Sequence, residues 1–310
     1  MEPTLVILNP WAGKGSAGAR RPALEAALQA AGLAYTLVTS HARGGATELA
    51  WQGVERGAAQ IIAVGGDGTI NEVVNGIKGA EQASGRRVPL GIVAIGTGSD
   101  FVKTLEAAEA SDLASAIQRI AAGTTRTIDL GRVQVGDQPP RFFVNGLGMG
   151  LDAQIAVEAE QIKNLKGIAV YFLAIIRALA KYKAGQMTIQ YDDQRIKRRL
   201  LFASVANGRY QGGGFYLTPA AQLDDGQLDF CFVDNLRLDE IMRYLPRVLE
   251  GTHVTMKQAT LGSARRLTVE SSSPIPVATD GEVLATDARM VQVEVVPAAL
   301  DVLTNARETR

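Results

Sequence analysis

Two glycine-rich loops carry the residues of this chain that are best suited to phosphate chemistry. The first is GGDGT, residues 65–69, which directly follows an apolar run, and the second is GTGSD, residues 96–100. Glycine leaves backbone N–H groups open at a strand-to-helix turn, and the positive end of the helix adds to their attraction for phosphate. Asp67 and Asp100, one in each loop, are suited to Mg²⁺, which binds through one or two carboxylates plus phosphate oxygens.

A helix is predicted directly after the first loop. Apolar residues recur at positions 70, 73, 74 and 77, which is the spacing of one helix face. Thr69 and Glu72 have the spacing of a capping box, with Thr69 as the N-cap of a helix that begins at Ile70. The stretch therefore favours strand, loop and helix over a hairpin turn.

The elements around these loops predict an α/β domain over residues 1–126. Short apolar strands alternate with helical stretches, a pattern typical of a parallel sheet. Right-handed crossovers bring the carboxyl ends of all such strands to one edge. That edge should gather Asn9, Thr39 and both glycine loops, and we expect a ligand site there.

The second part of the chain, residues 127–297, has a different pattern. Short β-like runs separated by turn residues predict a β-rich sandwich domain. Two helical inserts interrupt it, near 152–180 and 238–249. The C-terminal tail, about 298–310, is predicted to pack back on the first domain.

Composition excludes several classes of function. The formal net charge is zero, which argues against nucleic-acid binding. Cys231 is the only cysteine and there are two histidines, so the chain has too few of these residues for an internal disulfide or a Cys/His zinc cluster. The N-terminus lacks the basic segment of a signal peptide, and the longest apolar run, 167–176, is too short to cross a bilayer. We expect a cytoplasmic protein without a transmembrane segment.

A dinucleotide-binding loop is the first alternative. GKGSAG, residues 13–18, matches the G-x-G-x-x-G pattern after a strand. Such sites need an acidic residue at the end of the next strand, and that strand ends at Val38-Thr39-Ser40. The match is therefore weak.

Five segments, in this order, resemble the motifs of the diacylglycerol kinase catalytic-domain family, which includes bacterial lipid kinases and sphingosine kinases. They are NPWAGKG, GGDGTINEVVNG, GTGSDF, NGRYQGGGFYLTPAAQLDDGQLD and ATDGE. GGDGT alone also occurs in NAD kinases and phosphofructokinases, but the ordered set is specific. The resemblance implies a kinase that uses ATP and Mg²⁺ to phosphorylate a hydroxyl of diacylglycerol or a related lipid in phospholipid metabolism.

The resemblance also implies the site residues. Glu282 matches the general base of the family, and Asp67 is the second catalytic candidate. A structural Mg²⁺ would be held by the Asp225 carboxylate and the backbone oxygens of Gln222 and Gln227, although a plain Asp-Gly hairpin would explain the same turn. The residues implied to line the ATP pocket are Asn9, Thr39, Gly66, Asp67, Gly68, Thr69, Ile70, Asn71, Glu72 and Thr97.

The sequence by itself is compatible with more than one role for several features. The third family motif usually has Asn where this chain has Ser99, which loses an amide N–H₂ group. The amphipathic stretch 164–184 is either a helix packed on the sandwich or a flank of the lipid site that contacts the membrane transiently. A kinase of a soluble acceptor such as NAD, or a catalytically silent binding protein, are the alternative functions, and a homodimer is left open.

Overall fold

The computed structural model describes residues 4–96, 98–106, 112–162 and 168–305. The chain forms two compact units: unit 1 comprises the residues up to Asp129 together with those from Ala298 onward, and unit 2 comprises Leu130–Pro297. Unit 1 combines strands with helices and unit 2 is mostly β-structure, so the predicted α/β region followed by a β-rich region is confirmed. The predicted site residue Thr97 and the end of the predicted tail, 306–310, lie outside the described residues.

Unit 1 contains short apolar strands with helices between them. The first and third strands contain runs of buried apolar residues, 6–8 and 61–64, as expected of strands that are covered on both faces. The strands are β1 (Thr4–Leu8), β2 (Tyr35–Thr39), β3 (Gln60–Gly65) and β4 (Leu90–Ala94). The helices are α1 (Ser16–Ala19), α2 (Arg21–Ala30), α3 (Gly45–Glu55), α4 (Asp67–Ser84), α5 (Asp100–Glu106) and α6 (Leu113–Ala122), and a 3-10 turn spans Ala12–Gly15.

The strands of unit 1 pair in parallel and end at one edge. Strand β1 pairs with both β2 and β3, and β3 pairs with β4. In this register Leu8 lies opposite both Thr39 and Val64, and Gly65 lies opposite Ala94. The loops that follow β1, β3 and β4 therefore start from the same edge of the sheet.

Helix α4 begins earlier than its sequence pattern predicts. Its first residue is Asp67, its N-cap is Gly66, and no side chain caps it. The predicted capping box of Thr69 and Glu72 is therefore wrong. Thr69 Oγ1 accepts a hydrogen bond from Asn9, and Glu72 Oε2 accepts one from the N–H of Ala46. Both side chains have partners in other elements, so tertiary contacts override the local cap.

The described residues of unit 2 form strands and three helices. The strands are β5 (Thr125–Val135), which starts in unit 1, β6 (Arg141–Phe143), β7 (Gly146–Gly150), β8 (Gly185–Tyr191), β9 (Gln194–Ala206), β10 (Leu228–Asp234), β11 (Ala259–Ala264), β12 (Arg266–Thr279) and β13 (Glu282–Leu303), which ends in unit 1. The helices are α7 (Leu151–Glu160), α8 (Ile168–Lys181) and α9 (Leu238–Leu249), and a 3-10 turn spans Thr252–Thr255.

Antiparallel pairing organises the strands of unit 2. Their order is β11, β10, β9, β7 and β12, while β8 pairs with both β9 and β12, and β12 forms a hairpin with β13. Alternate residues of these strands fill one apolar core, which includes Phe143, Met149, Phe230, Phe232 and Val291. Within the described part of the chain, no helix has the length and apolar character that a membrane span requires.

Candidate active site

Gly65 and Gly66 differ in the space that surrounds them. A Cβ on Gly65 would lie 2.5 Å from Thr69 Oγ1, so internal packing requires glycine there. Among the described residues beyond its chain neighbours, a Cβ on Gly66 would meet only the carbonyl oxygen of Ile95, at 4.0 Å, and the φ of −90° at Gly66 suits any residue. The fold thus leaves open space at the backbone of Gly66, where the N-terminus of α4 attracts an anion.

Asn9 connects the loop after β1 to the same helix end. Its Nδ2 donates to Thr69 Oγ1 at 2.9 Å, and its Oδ1 accepts the N–H of Trp11 at 3.1 Å. The predicted residue Asn9 therefore braces the two loops. Thr39, at the end of β2, lies opposite Leu8 on the same edge.

Three of the residues predicted to bind nucleotide have other surroundings. Ile70 and Asn71 are almost fully buried, and the N–H of Ile70 donates to the carbonyl of Gly66. The Glu72 carboxylate accepts the Ala46 N–H at 3.1 Å and so satisfies a free donor at the start of α3. These side chains hold α4 in place within unit 1.

Asp67 and Asp100 are brought together across the two glycine loops. The Asp67 carboxylate accepts the backbone N–H groups of Asp100, at 3.4 Å, and Phe101, at 3.3 Å. Burial, and secondarily the charge of Asp100, raise the pKa of Asp67 to about 6, against the lowering effect of those two N–H groups and Lys103. Asp100 is buried and forms an ion pair with Lys103 at 3.3 Å. Two carboxylates, one at the start of α4 and one at the start of α5, match the donors that Mg²⁺ prefers.

Ser99, which stands where the motif that this chain resembles usually has asparagine, has a backbone φ of 49°. This left-handed region is several-fold enriched in asparagine among residues other than glycine. The geometry therefore gives a backbone reason for the asparagine that is usual at this position, and serine occupies the same conformation at some cost in strain.

We expect the Asp67→Asn protein to be more stable than the wild type at pH 8 and about equally stable at pH 4. The pKa of Asp67 is about 6 in the folded state against 3.8 for a free side chain, so the stability of the wild type falls as the pH rises from about 3.8 to about 6 and stays lower above pH 6. The shift corresponds to about 3 kcal/mol at most, and asparagine cannot ionise. Urea denaturation in chelator-treated buffer at both pH values measures the difference. A stability gap that is the same at pH 4 and pH 8 would contradict this account.

The turn between β12 and β13 holds a buried carboxylate. Asp280 and Gly281 have φ values of 44° and 84°, as in the two-residue hairpin turns that favour Asp-Gly. The Asp280 carboxylate accepts the backbone N–H groups of Val144, at 2.7 Å, and Gly146, at 2.8 Å. The sequence signals the turn but not this role, because the donors lie more than 130 positions away.

Glu282 directly follows that turn and is paired with an arginine. Arg141 Nη1 and Nη2 donate to its two carboxylate oxygens at 3.0 and 2.9 Å, which is a two-point contact. The Glu282 side chain is 18% exposed and that of Arg141 is 35% exposed, so the carboxylate keeps some access to solvent. Sequence reasoning missed Arg141, which has no motif of its own.

The segment predicted to hold a structural metal is an exposed turn. The Asp225 carboxylate accepts the N–H of Gln227 at 3.0 Å, and Gln222 is exposed. Burial and the charge of Asp225 raise the pKa of nearby Asp229 to about 6, while Arg209 lowers it. No cluster of three or more Asp, Glu, His or Cys side chains is arranged for a metal among the described residues. The predicted site consists of one carboxylate and two backbone oxygens, so it would not form a cluster of three such side chains.

An apolar groove of about 620 Å³ lies within unit 2, between α8, α9 and the ends of neighbouring strands. Apolar side chains from both helices form most of its wall, and its polar members among the described residues are Tyr182, Lys183, Arg199 and Asn235. Ile176 and Leu179, in the predicted amphipathic stretch 164–184, are among the residues that line the groove, and the beginning of that stretch, 164–167, lies outside the described residues. The remaining wall includes Ile175, Leu201, Leu236, Leu238, Ile241, Met242 and Leu245.

Comparisons with known proteins agree over nearly the whole chain. A family model described as the diacylglycerol kinase catalytic domain matches residues 3–133, and one described as the YegS C-terminal NAD kinase beta sandwich-like domain matches residues 146–304. The diacylglycerol kinase of Staphylococcus haemolyticus is 30% identical over 89% of this chain and 81% of that protein. The diacylglycerol kinase of Bacillus subtilis is 27% identical over 91% and 90%. A solved structure of a candidate diacylglycerol kinase from Bacillus anthracis has a TM-score of 0.77 at 26% identity, covering 98% of this chain and 97% of the other.

Proposed function

Because this chain belongs to the diacylglycerol kinase catalytic-domain family, we propose that it is an ATP-dependent lipid kinase that phosphorylates a hydroxyl of diacylglycerol or a related lipid. The apolar groove of unit 2 is the observation that carries the choice of a lipid acceptor. An acyl chain needs an apolar cavity, and this groove falls within the roughly 300–1,000 Å³ of small-molecule sites.

The nucleotide end of the proposal rests on unit 1. The phosphates of ATP would lie against the backbone at Gly66 and Gly68, where α4 begins. Asp67 and Asp100 would hold Mg²⁺ beside them, and the bound cation would neutralise the charge of the phosphates. Phosphoryl transfer depends mainly on such positioning and charge stabilisation.

The acceptor end rests on Glu282. As the acceptor hydroxyl oxygen bonds to the γ-phosphorus and ADP leaves, the hydroxyl proton would pass to the Glu282 carboxylate. The two-point contact with Arg141 would fix the direction of that carboxylate.

The proposed structural Mg²⁺ gives a separate prediction. The Asp225 carboxylate would bind it, and a cation there would offset the repulsion between Asp225 and Asp229. We expect added Mg²⁺ to raise the melting temperature of the wild type but to have a clearly smaller effect on Asp225→Ala. Asp137→Ala, an exposed carboxylate in another turn, is the control. Equal Mg²⁺-induced shifts in all three proteins would reduce the segment to an ordinary hairpin turn.

Incubation with labelled ATP and a panel of acceptors tests the function. Diacylglycerol, a sphingoid base, a total lipid extract and NAD separate the candidates. We expect label in a lipid product. Label in NADP would support the alternative of a soluble acceptor, which is worth testing because one matching family model is described as NAD kinase beta sandwich-like. ATP binding without any labelled product would support a silent binding protein. We also propose that the protein works in the cytoplasm with transient membrane association. A homodimer stays a prediction, and a measurement of the molecular mass in solution would test it.

A further inference from the structure

We propose that one face of the β8–β9 hairpin, here called the basic face, docks on the anionic headgroups of a phospholipid bilayer. The basic face is defined by Arg195, Lys197 and Arg199. This inference rests on the proposed lipid-kinase function, because it states how the groove of unit 2 would meet its substrate.

The strand register puts the three cations on one side of the hairpin. Side chains alternate along a strand, and Ile196 and Leu200 belong to the opposite, core-facing side. Arg195, Lys197 and Arg199 are all exposed. They form a row of positive charge at every second position of β9.

The partners across the hairpin are uncharged. Arg195 lies opposite Gln190, Lys197 opposite Thr188, and Arg199 opposite Gln186. Arg198 differs, because it points to the other side, where it contacts Thr260 and lies 3.7 Å from the Asp234 carboxylate. Positive charge on the basic face is therefore not balanced by the strand that pairs with it.

The basic face leads into the apolar groove. Arg199 lines the groove, and its Nε donates to the carbonyl of Ala184, another lining residue, at 2.9 Å. Ile176, Leu238 and Met242, which also line the groove, are 50%, 62% and 48% exposed. A row of cations beside exposed apolar side chains matches the headgroup and acyl layers of an anionic membrane surface.

A bilayer fits these observations better than a nucleic acid does. A nucleic acid would use the cations but not the apolar side chains that adjoin them, and the chain has no net positive charge. Each cation near an anionic membrane strengthens partitioning by about fivefold. Two cations therefore account for about 25-fold.

Vesicle co-sedimentation without ATP or diacylglycerol tests the proposal independently of catalysis. We expect wild type to bind vesicles that contain 30 mol% phosphatidylglycerol, roughly, and to bind pure phosphatidylcholine vesicles far less. Arg195→Gln with Lys197→Gln should bind about 25-fold more weakly, and salt should weaken the wild type as screening predicts. The control is Arg21→Gln with Arg56→Gln, which removes the same amount of charge from two exposed arginines of unit 1. This control protein should bind like the wild type.

Several results would overturn it: equal binding of the wild type to both vesicle types, an unchanged affinity in Arg195→Gln with Lys197→Gln, or the same loss in the unit 1 control. Binding of a duplex DNA probe through these residues, without vesicle binding, would assign the face to nucleic acid instead. Phosphorylation of a short-chain, water-dispersed diacylglycerol should be equal in the wild type and in Arg195→Gln with Lys197→Gln. If neither protein phosphorylates that acceptor or any lipid of the acceptor panel, the proposed function fails, while the vesicle result still decides the docking face.

Discussion

Replacing Glu282 with Gln is expected to lower the rate of lipid phosphorylation by about 10²- to 10⁴-fold, the usual cost of losing a general base. Glutamine keeps the size of the side chain but cannot accept a proton. The affinity for ATP should stay nearly unchanged, because Glu282 would serve the acceptor. Arg141 is partly exposed, so water can solvate it when its partner loses its charge, and the melting temperature should change little.

Asp280→Asn is the matched control for that experiment. It changes a carboxylate in the same turn, one that accepts backbone N–H groups and so has a structural role. We expect this variant to lose stability, by about 1–3 kcal/mol, since buried N–H groups lose charged acceptors. A Glu282→Gln protein that phosphorylates lipid within a few-fold of the wild type would remove Glu282 from the mechanism. A loss of rate that follows a loss of folded protein would assign it a structural role.

Gly66→Val is expected to fold and to bind ATP at least tenfold more weakly, a change of about 1.4 kcal/mol or more. The valine side chain would occupy the open space at the backbone of Gly66, where phosphate is proposed to approach. Among the described residues beyond its two chain neighbours, only the Ile95 carbonyl oxygen would lie within 4 Å of the new Cβ. Calorimetric titration with ATP measures the affinity, and a thermal melt checks the fold.

Gly65→Ala separates packing from ligand binding. Its Cβ would lie 2.5–2.9 Å from side-chain atoms of Thr69, so we expect lower stability. The two neighbouring glycines should therefore differ, one affecting stability and the other ATP affinity. An unchanged ATP affinity in a folded Gly66→Val protein would make the assignment of the phosphate site wrong.

Local sequence signals determined the elements of this protein and much of its loop chemistry. Apolar runs such as Gln60–Gly65 could be recognised as strands because a strand buried on both faces needs no polar residue. Asp280-Gly281 could be recognised as a turn because it needs positive φ angles. The family resemblance added residue roles to these signals, and periodicity alone would not have supplied them.

Tertiary structure decided the partners of the charged side chains. The Glu72 carboxylate accepts a backbone N–H of α3 and does not cap its own helix. The Asp280 carboxylate accepts backbone N–H groups from a distant part of the chain, and Glu282 forms an ion pair with Arg141, 141 positions away. Helix α4 begins at Asp67 and not at Ile70 for the same reason, because the side chains predicted to cap it bond to other elements. Local propensity and capping differ by about 1 kcal/mol between alternatives, and a hydrogen bond to a charged group in a packed environment contributes as much or more. Such contacts join residues that only strand pairing and helix packing bring together, so they cannot be read from neighbouring positions in the sequence.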